Sequence, residues 1–200
     1  MSAGIETPSV DGRRARRERG RASVVDAMFA LLEEGNNLPT VEAIAERAGV
    51  SASSVFRYFD SLDDLQHRTI ERYFERFAHL FVIPSIGRGD LVTRTVRLVD
   101  ARLDLYDAIG PLGRLARALA LDTPQLAQTL AETRATLARQ VRHHFAAELT
   151  ERTPARADDL VALIDSLTSF EAWDLMRTAH ARSRQQIRRA WLAALPMLIG

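Results

Sequence analysis

The sequence holds no cysteine among its 200 residues, which excludes disulfides, thiolate metal sites and cysteine nucleophiles. It holds no lysine either, so all 27 basic side chains are arginine, a bias read as the mark of a GC-rich genome rather than of chemistry. No apolar run approaches the roughly 18 residues of a membrane span, and the N-terminal residues lack the apolar core of a signal peptide. The expectation is a cytoplasmic protein with no membrane contact. A glycine-rich phosphate loop and a nucleophile elbow are both missing, which removes two common enzyme scaffolds. No strand pattern or internal repeat interrupts the chain.

What is present is a chain that is 46% apolar, enough to bury a sizeable core, as one large domain or a small one joined to a larger. The net charge of +1 argues neither for nor against nucleic acid, but its distribution says more. Residues 1–12 contain glycine, serine and proline without periodicity and read as a disordered tail. Arg13, Arg14, Arg16, Arg17, Arg19 and Arg21 then crowd one segment against Glu18 alone. Such a basic arm can supply phosphate contacts, with Arg16 and Arg17 as candidates, although a frayed, solvated terminus has the same composition.

Thr40 to Phe59 organises the rest. Thr40 can cap a helix on which Val41, Ile44, Ala45 and Ala48 form one apolar stripe. Gly49 follows the last apolar position, where a left-handed residue stops a helix, and Ser51 is placed to cap the next. In that second helix Ala52, Val55 and Phe59 point inward, while Ser53, Ser54 and Arg57 lie together outside, flanked by Phe56 and Tyr58. Two short helices hinged at a glycine, the second showing small polar groups and one arginine, suit a major groove. A helical corner inside an all-α domain would share this pattern. The spacing predicts a supporting helix from about Arg17 to Glu34, stopped by Gly35 and the loop Asn36 to Pro39. A fourth helix is predicted from Ser61 to about Phe81, with Asp63 and Asp64 complementing the dipole of its first turn.

These residues resemble the DNA-binding domain of TetR-type transcriptional regulators, through Gly35, Thr40, Val41, Ile44, Ala45, Ala48, Gly49, Val50, Ser51, Ser54, Val55, Phe56, Tyr58, Phe59 and Leu65. The resemblance is detailed from Arg17 to Leu65 and extends beyond only in length and helical layout. It implies that Thr40 and Tyr58 bond phosphates and that Ser53, Ser54 and Arg57 meet base edges or nearby phosphates, with Ser51 and Phe56 in the same surface. Two positions depart from the family pattern. Phe56 stands where a tyrosine is usual, and Leu62 stands where a phosphate-holding lysine is usual. Each loss should flatten the salt dependence of binding, by about one unit of slope per cationic contact.

The fold expected is all-α, with about nine helices: a disordered tail at 1–12, a helix-turn-helix domain with its basic arm at 13–64, and a helical domain at 65–200. In the second half, helices are predicted from Asp90 to Ala108, ended by Gly110 and Pro111, and over a short stretch from Pro111 to Ala120. Thr123-Pro124 and Thr153-Pro154 each open a long helix, the first running past Phe145 to Leu149 and the second to Met176. Ser183 and Gln186 form a capping box for the last. The family likeness implies a homodimer built through the last two long helices, with Leu163, Leu167, Trp191 and Leu195 as interface candidates. It also implies an apolar small-molecule site in the middle, for which Tyr106, Phe145, Phe170 and Trp173 are candidate walls and Arg102 and Arg177 candidate polar contacts. The helix from Ser61 would carry the signal between the halves.

The reading is therefore a ligand-released repressor on a near-palindromic double-stranded operator, with no cofactor. The alternative is a dimeric helical ligand- or protein-binding module whose DNA binding has weakened or lapsed, motivated by Phe56 and Leu62. An enzyme is a distant third. His143, His144 and Glu148 could offer metal ligands, but no further ligand pair accompanies them, so no metal site is assigned.

Overall fold

Apolar residues at helical spacing, strong helix formers between them and capping residues at most junctions produce an all-α chain. The computed structural model describes residues 10–34 and 38–200. Residues 1–9 of the expected tail, and Gly35 to Asn37 of the first loop, lie outside the described residues. The chain divides into two compact units between Glu75 and Arg76.

The first unit contains α1 (Val10–Glu34), α2 (Val41–Ala48), α3 (Ala52–Tyr58) and α4 (Leu62–Arg76), whose last residue begins the second unit. The first helix starts earlier than the spacing of apolar residues suggested, because arginine is itself a good helix former and the arm simply continues the helix. Val24, Met28, Ile44, Val55, Phe59 and Leu65 close the core between the four. Phe29 stacks on Tyr73 with ring centroids 3.5 Å apart, and the Tyr73 hydroxyl donates to Asp26 at 3.2 Å, tying α1 to α4. The predicted fourth helix ends at Arg76 and is followed by a separate 3-10 turn, Ala78–Phe81.

The second unit holds α5 (Leu91–Leu119), α6 (Pro124–His144), α7 (Ala146–Thr150), α8 (Pro154–Leu167), α9 (Phe170–Thr178) and α10 (Arg184–Ile199). The expected break at Gly110-Pro111 does not occur: α5 runs straight through both. Its glycines serve packing instead. A Cβ on Gly110 would lie 2.7 Å from the Trp173 ring, and one on Gly113 would lie 2.5 Å from Phe170, so their bare surfaces seat the two rings of α9. Tertiary packing thus outweighs local helix-breaking propensity.

Two predicted long helices each divide. The chain turns at Phe145, separating α6 from α7, and again at Thr168, where Ser169 caps α9 by accepting from the Ala172 N–H at 3.0 Å. Across that second break the Tyr106 hydroxyl donates to the Thr168 carbonyl at 2.9 Å, using an acceptor at the end of α8. Ten α-helices therefore stand among the described residues, and no strand does. The last helix lies on α5 through apolar contacts and an ion-pair ladder, Arg184 to Asp104 and Asp107 and Arg188 to Asp100.

His144 is buried and neutral. Its Nδ1 accepts from the Gly87 N–H at 3.1 Å and its Nε2 donates to the Arg94 carbonyl at 2.9 Å. Burial pushes its pKa below the usual 6.5, and the hydrogen bond to the Arg94 carbonyl pulls the other way without reversing this; the charges of Arg97 and Arg94 add to the lowering and Glu148 opposes it. Both ring nitrogens are engaged and Glu148 pairs with Arg94, so His143, His144 and Glu148 do not converge on a metal. Because the folded chain resists a proton that the unfolded chain accepts near pH 6.5, the contribution is complete above that pH and fades as pH falls toward the folded value. Urea midpoints should therefore drop between pH 6.5 and 5, and His144→Gln should remove that part of the slope.

Candidate functional site

The recognition surface is built by two caps and a corner. Thr40 Oγ1 accepts from the Ala43 N–H at 3.3 Å and starts α2, leaving its hydroxyl proton directed to other acceptors. Gly49 ends α2 at φ 67°, the left-handed turn that sends the chain into α3. Ser51 Oγ accepts from the Ser54 N–H at 3.2 Å and also meets the hydroxyls of Ser53 and Ser54 at 2.9 and 3.0 Å. Its oxygen is thus committed to holding the start of α3.

On α3, Val55 and Phe59 are buried, which turns Ser53, Phe56 and Arg57 outward; all three are exposed. Arg57 rests against its own helix, donating from Nη2 to Ser54 Oγ at 3.0 Å with its guanidinium 5.5 Å from the Tyr58 ring centroid. Tyr58 is half-buried, and Leu62 is half-buried at the first position of α4.

The basic arm meets this helix from the side. Arg14, Arg17 and Arg21 follow one another at helical spacing on α1. Arg17 Nη2 donates to the Arg57 carbonyl at 3.4 Å, at the negative end of α3, and Arg21 lies over the Phe59 ring at 5.2 Å. Arg16 is exposed beside them. Arg17 therefore positions the recognition helix, a role that its composition-based reading as a phosphate ligand did not contain.

Gly20 is a functional position that sequence reasoning passed over. A Cβ there would meet the Cζ and hydroxyl oxygen of Tyr58 at 2.6 Å, so its bareness sets where that phenol sits. The available signal was a lone glycine inside a helical stretch. Gly20→Ala is expected to change stability by less than about 1 kcal/mol, since better helix propensity offsets a displaced ring. If Tyr58 bonds DNA, its affinity should fall by about the value of one hydrogen bond, 0.5–1.5 kcal/mol. Melting and DNA titration of Gly20→Ala, Tyr58→Phe and the double variant check this, the double variant being no weaker than Tyr58→Phe.

In the second unit the structure brings together Tyr106, Phe170 and Trp173. Tyr106 meets Phe170 edge-on at 5.6 Å between centroids, and Trp173 lies 6.0 Å from Tyr106 and 5.2 Å from Phe170. Burial pushes the Tyr106 phenol up to about 12. Trp173 Nε1 donates to Asp107 at 3.2 Å, and Arg117 stacks over Phe170 at 3.8 Å. Arg102, one turn before Tyr106 and 2% exposed, donates to the Leu137 carbonyl at 3.1 Å and to Asp165 at 3.3 Å. Burial raises the Asp165 pKa, and Arg102 only partly opposes it. At the mouth of the cluster, burial would raise Glu171, but hydrogen bonds from Arg117 and Arg134 outweigh it and bring that carboxyl down to about 2.

Two of the candidate walls stand apart. Phe145 packs against His144 at 5.1 Å at the α6–α7 turn, and exposed Arg177 donates to the Arg182 carbonyl in the turn before α10. Of the interface candidates, Leu163 is exposed and Leu167 half-buried, whereas Trp191 and Leu195 are buried within this chain and have no surface to offer another. The apolar surface left exposed on α8, α9 and α10 is instead Leu163, Leu175, Met197 and Leu198.

Residues 26–69, from the middle of α1 through most of α4, match the family model for bacterial regulatory proteins of the tetR family. The chain belongs to the TetR family. Its fold is shared by solved members: a TetR-family transcriptional regulator from Streptomyces coelicolor (22% identity, 90% of this chain and 80% of that one, TM-score 0.66). A transcriptional regulator from Rhodococcus sp. Rha1 is 20% identical over 92% of this chain and 95% of its own, with TM-score 0.63. The multidrug binding protein EbrR, complexed with imidazole, is 20% identical over 90% of this chain and 94% of its own, with TM-score 0.59. No curated protein matches the sequence. The TetR chain has no helix among its described residues long and apolar enough to cross a membrane.

Proposed function

We propose that this TetR-family chain acts as a dimeric repressor that leaves a near-palindromic operator when a small molecule binds its second unit. The observation that carries the DNA-binding part is the outward face of α3, with Ser53, Phe56 and Arg57 exposed beside an arginine stripe on α1 that touches the same helix. Base-edge groups on a short helix and phosphate-seeking cations next to it are the two components of groove recognition. Thr40 and Tyr58 are the proposed phosphate donors. Arg57 is the proposed base reader, because a guanidinium matches the two acceptors of guanine.

The dimer is supported by the exposed apolar side chains of α8 to α10, Leu163, Leu175, Met197 and Leu198. One recognition helix reads few base pairs, and a two-fold pair set about one helical turn or a multiple apart doubles the readout. The ligand part is supported by the aromatic group around Tyr106 and by the multidrug-binding relative of the same fold. A ligand releases DNA only if it favours a conformation in which the two recognition helices no longer fit the half-site spacing. The chain passes between units at the end of α4, so that helix is the proposed transmitter. Repression is the simpler sign of regulation, since occupying a promoter suffices for it.

Sedimentation of the protein with labelled duplexes from upstream of its own gene tests this reading. Two chains per duplex on one such site, with unrelated duplexes left unbound at the same salt, is the expected result. Indifference to sequence would favour the module with lapsed DNA binding.

A further inference from the structure

Phe56 is 57% exposed, and among the large apolar side chains left exposed in the described residues it is the one aromatic. Its position is not accidental to the packing. Val55 and Phe59 anchor α3 inward, the Ser51 cap fixes where the helix begins, and Phe56 falls on the same outward arc as Ser53 and Arg57. A phenyl ring has no donor or acceptor, so it cannot hold a phosphate or bond a base edge. The surface around it is polar, with the hydroxyls of Ser53 and Ser54 and the guanidinium of Arg57. An apolar ring held in such a surface gains only from an apolar partner. The major groove of DNA offers one such feature, the 5-methyl group of thymine.

We infer that Phe56 is a specificity-determining residue that packs on the methyl group of a thymine in each half-site. This rests on the DNA-binding reading above. Arg57 and Phe56 then read adjacent features of the groove by different chemistry, one through guanine acceptors and one through a methyl group that uracil and cytosine lack. Thymine at that position is preferred for contact rather than for hydrogen bonding.

The test uses the full-length protein and duplexes that it selects from a random pool, in which each thymine is replaced singly by uracil, deleting one methyl group and no hydrogen-bonding atom. Burial of one methyl predicts that uracil at one thymine per half-site weakens binding about fourfold, with the other positions indifferent. Phe56→Ala should bind the thymine and uracil duplexes equally, and Phe56→Leu should keep part of the difference. The inference is overturned if uracil is tolerated at every position, if the selected sites lack a common thymine, or if Phe56→Ala retains the full uracil penalty. Failure to select any duplex would instead sink the DNA-binding reading, and this inference with it.

Discussion

Replacing Arg57 with alanine is expected to weaken binding to the selected operator by about 1–3 kcal/mol, roughly ten- to a hundredfold, while leaving the protein folded. The guanidinium is exposed and its one side-chain hydrogen bond, to Ser54, is intrahelical, so the free protein loses little. In the complex the same group would leave Ser54 and present its paired donors to a guanine. The loss should fall on the cognate sequence and not on random duplex, which narrows the ratio between them. Arg14→Ala, by contrast, should weaken all duplexes alike and lower the salt slope by about one, the behaviour of a phosphate contact. Equal losses on cognate and random DNA for Arg57→Ala would reassign Arg57 to the backbone and leave base reading to its neighbours.

The second large effect is on stability. Trp191 is 1% exposed, packed in the core between α10 and its neighbours, and its indole N–H has no hydrogen-bond partner. Trp191→Ala should cost about 3–5 kcal/mol through the cavity it leaves. For a chain of this length that is about 6–20 °C in melting temperature. Trp191→Phe should cost less, because the lost N–H bonds nothing. A core role also predicts that the loss persists at every protein concentration. Leu163→Asp, at a side chain 54% exposed, should leave the folded chain within about 0.5 kcal/mol, as surface changes do. It should instead make assembly weaker, so that the oligomer dissociates at higher concentration in sedimentation. If Trp191→Ala dissolved the dimer without lowering protomer stability, the placement of the indole in the core would be wrong.

Both effects show what a sequence does and does not disclose. The helix-turn-helix was legible because its signals are local: a threonine cap, a left-handed glycine, a serine cap and two short apolar stripes, each confined to a few residues. Trp191 and Leu195 were misplaced because periodicity identifies a buried stripe without saying whose atoms bury it. The break expected at Gly110-Pro111 failed for a related reason. The two glycines of α5 are there for the rings of Trp173 and Phe170, contacts with residues about sixty positions later that no local rule contains. Ser169, by contrast, was a cap hidden inside an apolar run, and its helix start was passed over because the stripe continued across it. Gly20 and Arg17 carry the same lesson into the site. One reads as a blemish in a helix and the other as one cation among many, until Tyr58 and the end of α3 are seen against them.

The most direct test of the central claim compares the unmodified protein on a selected duplex and on a scrambled duplex of equal length and composition, by fluorescence anisotropy at two salt concentrations. The account predicts that both affinities fall as salt rises, while the selected duplex stays about a thousandfold or more tighter at each. A ratio near one at both concentrations, with all binding lost at the higher, would show a basic surface without groove recognition and contradict the assignment of α3 as a reader of DNA sequence.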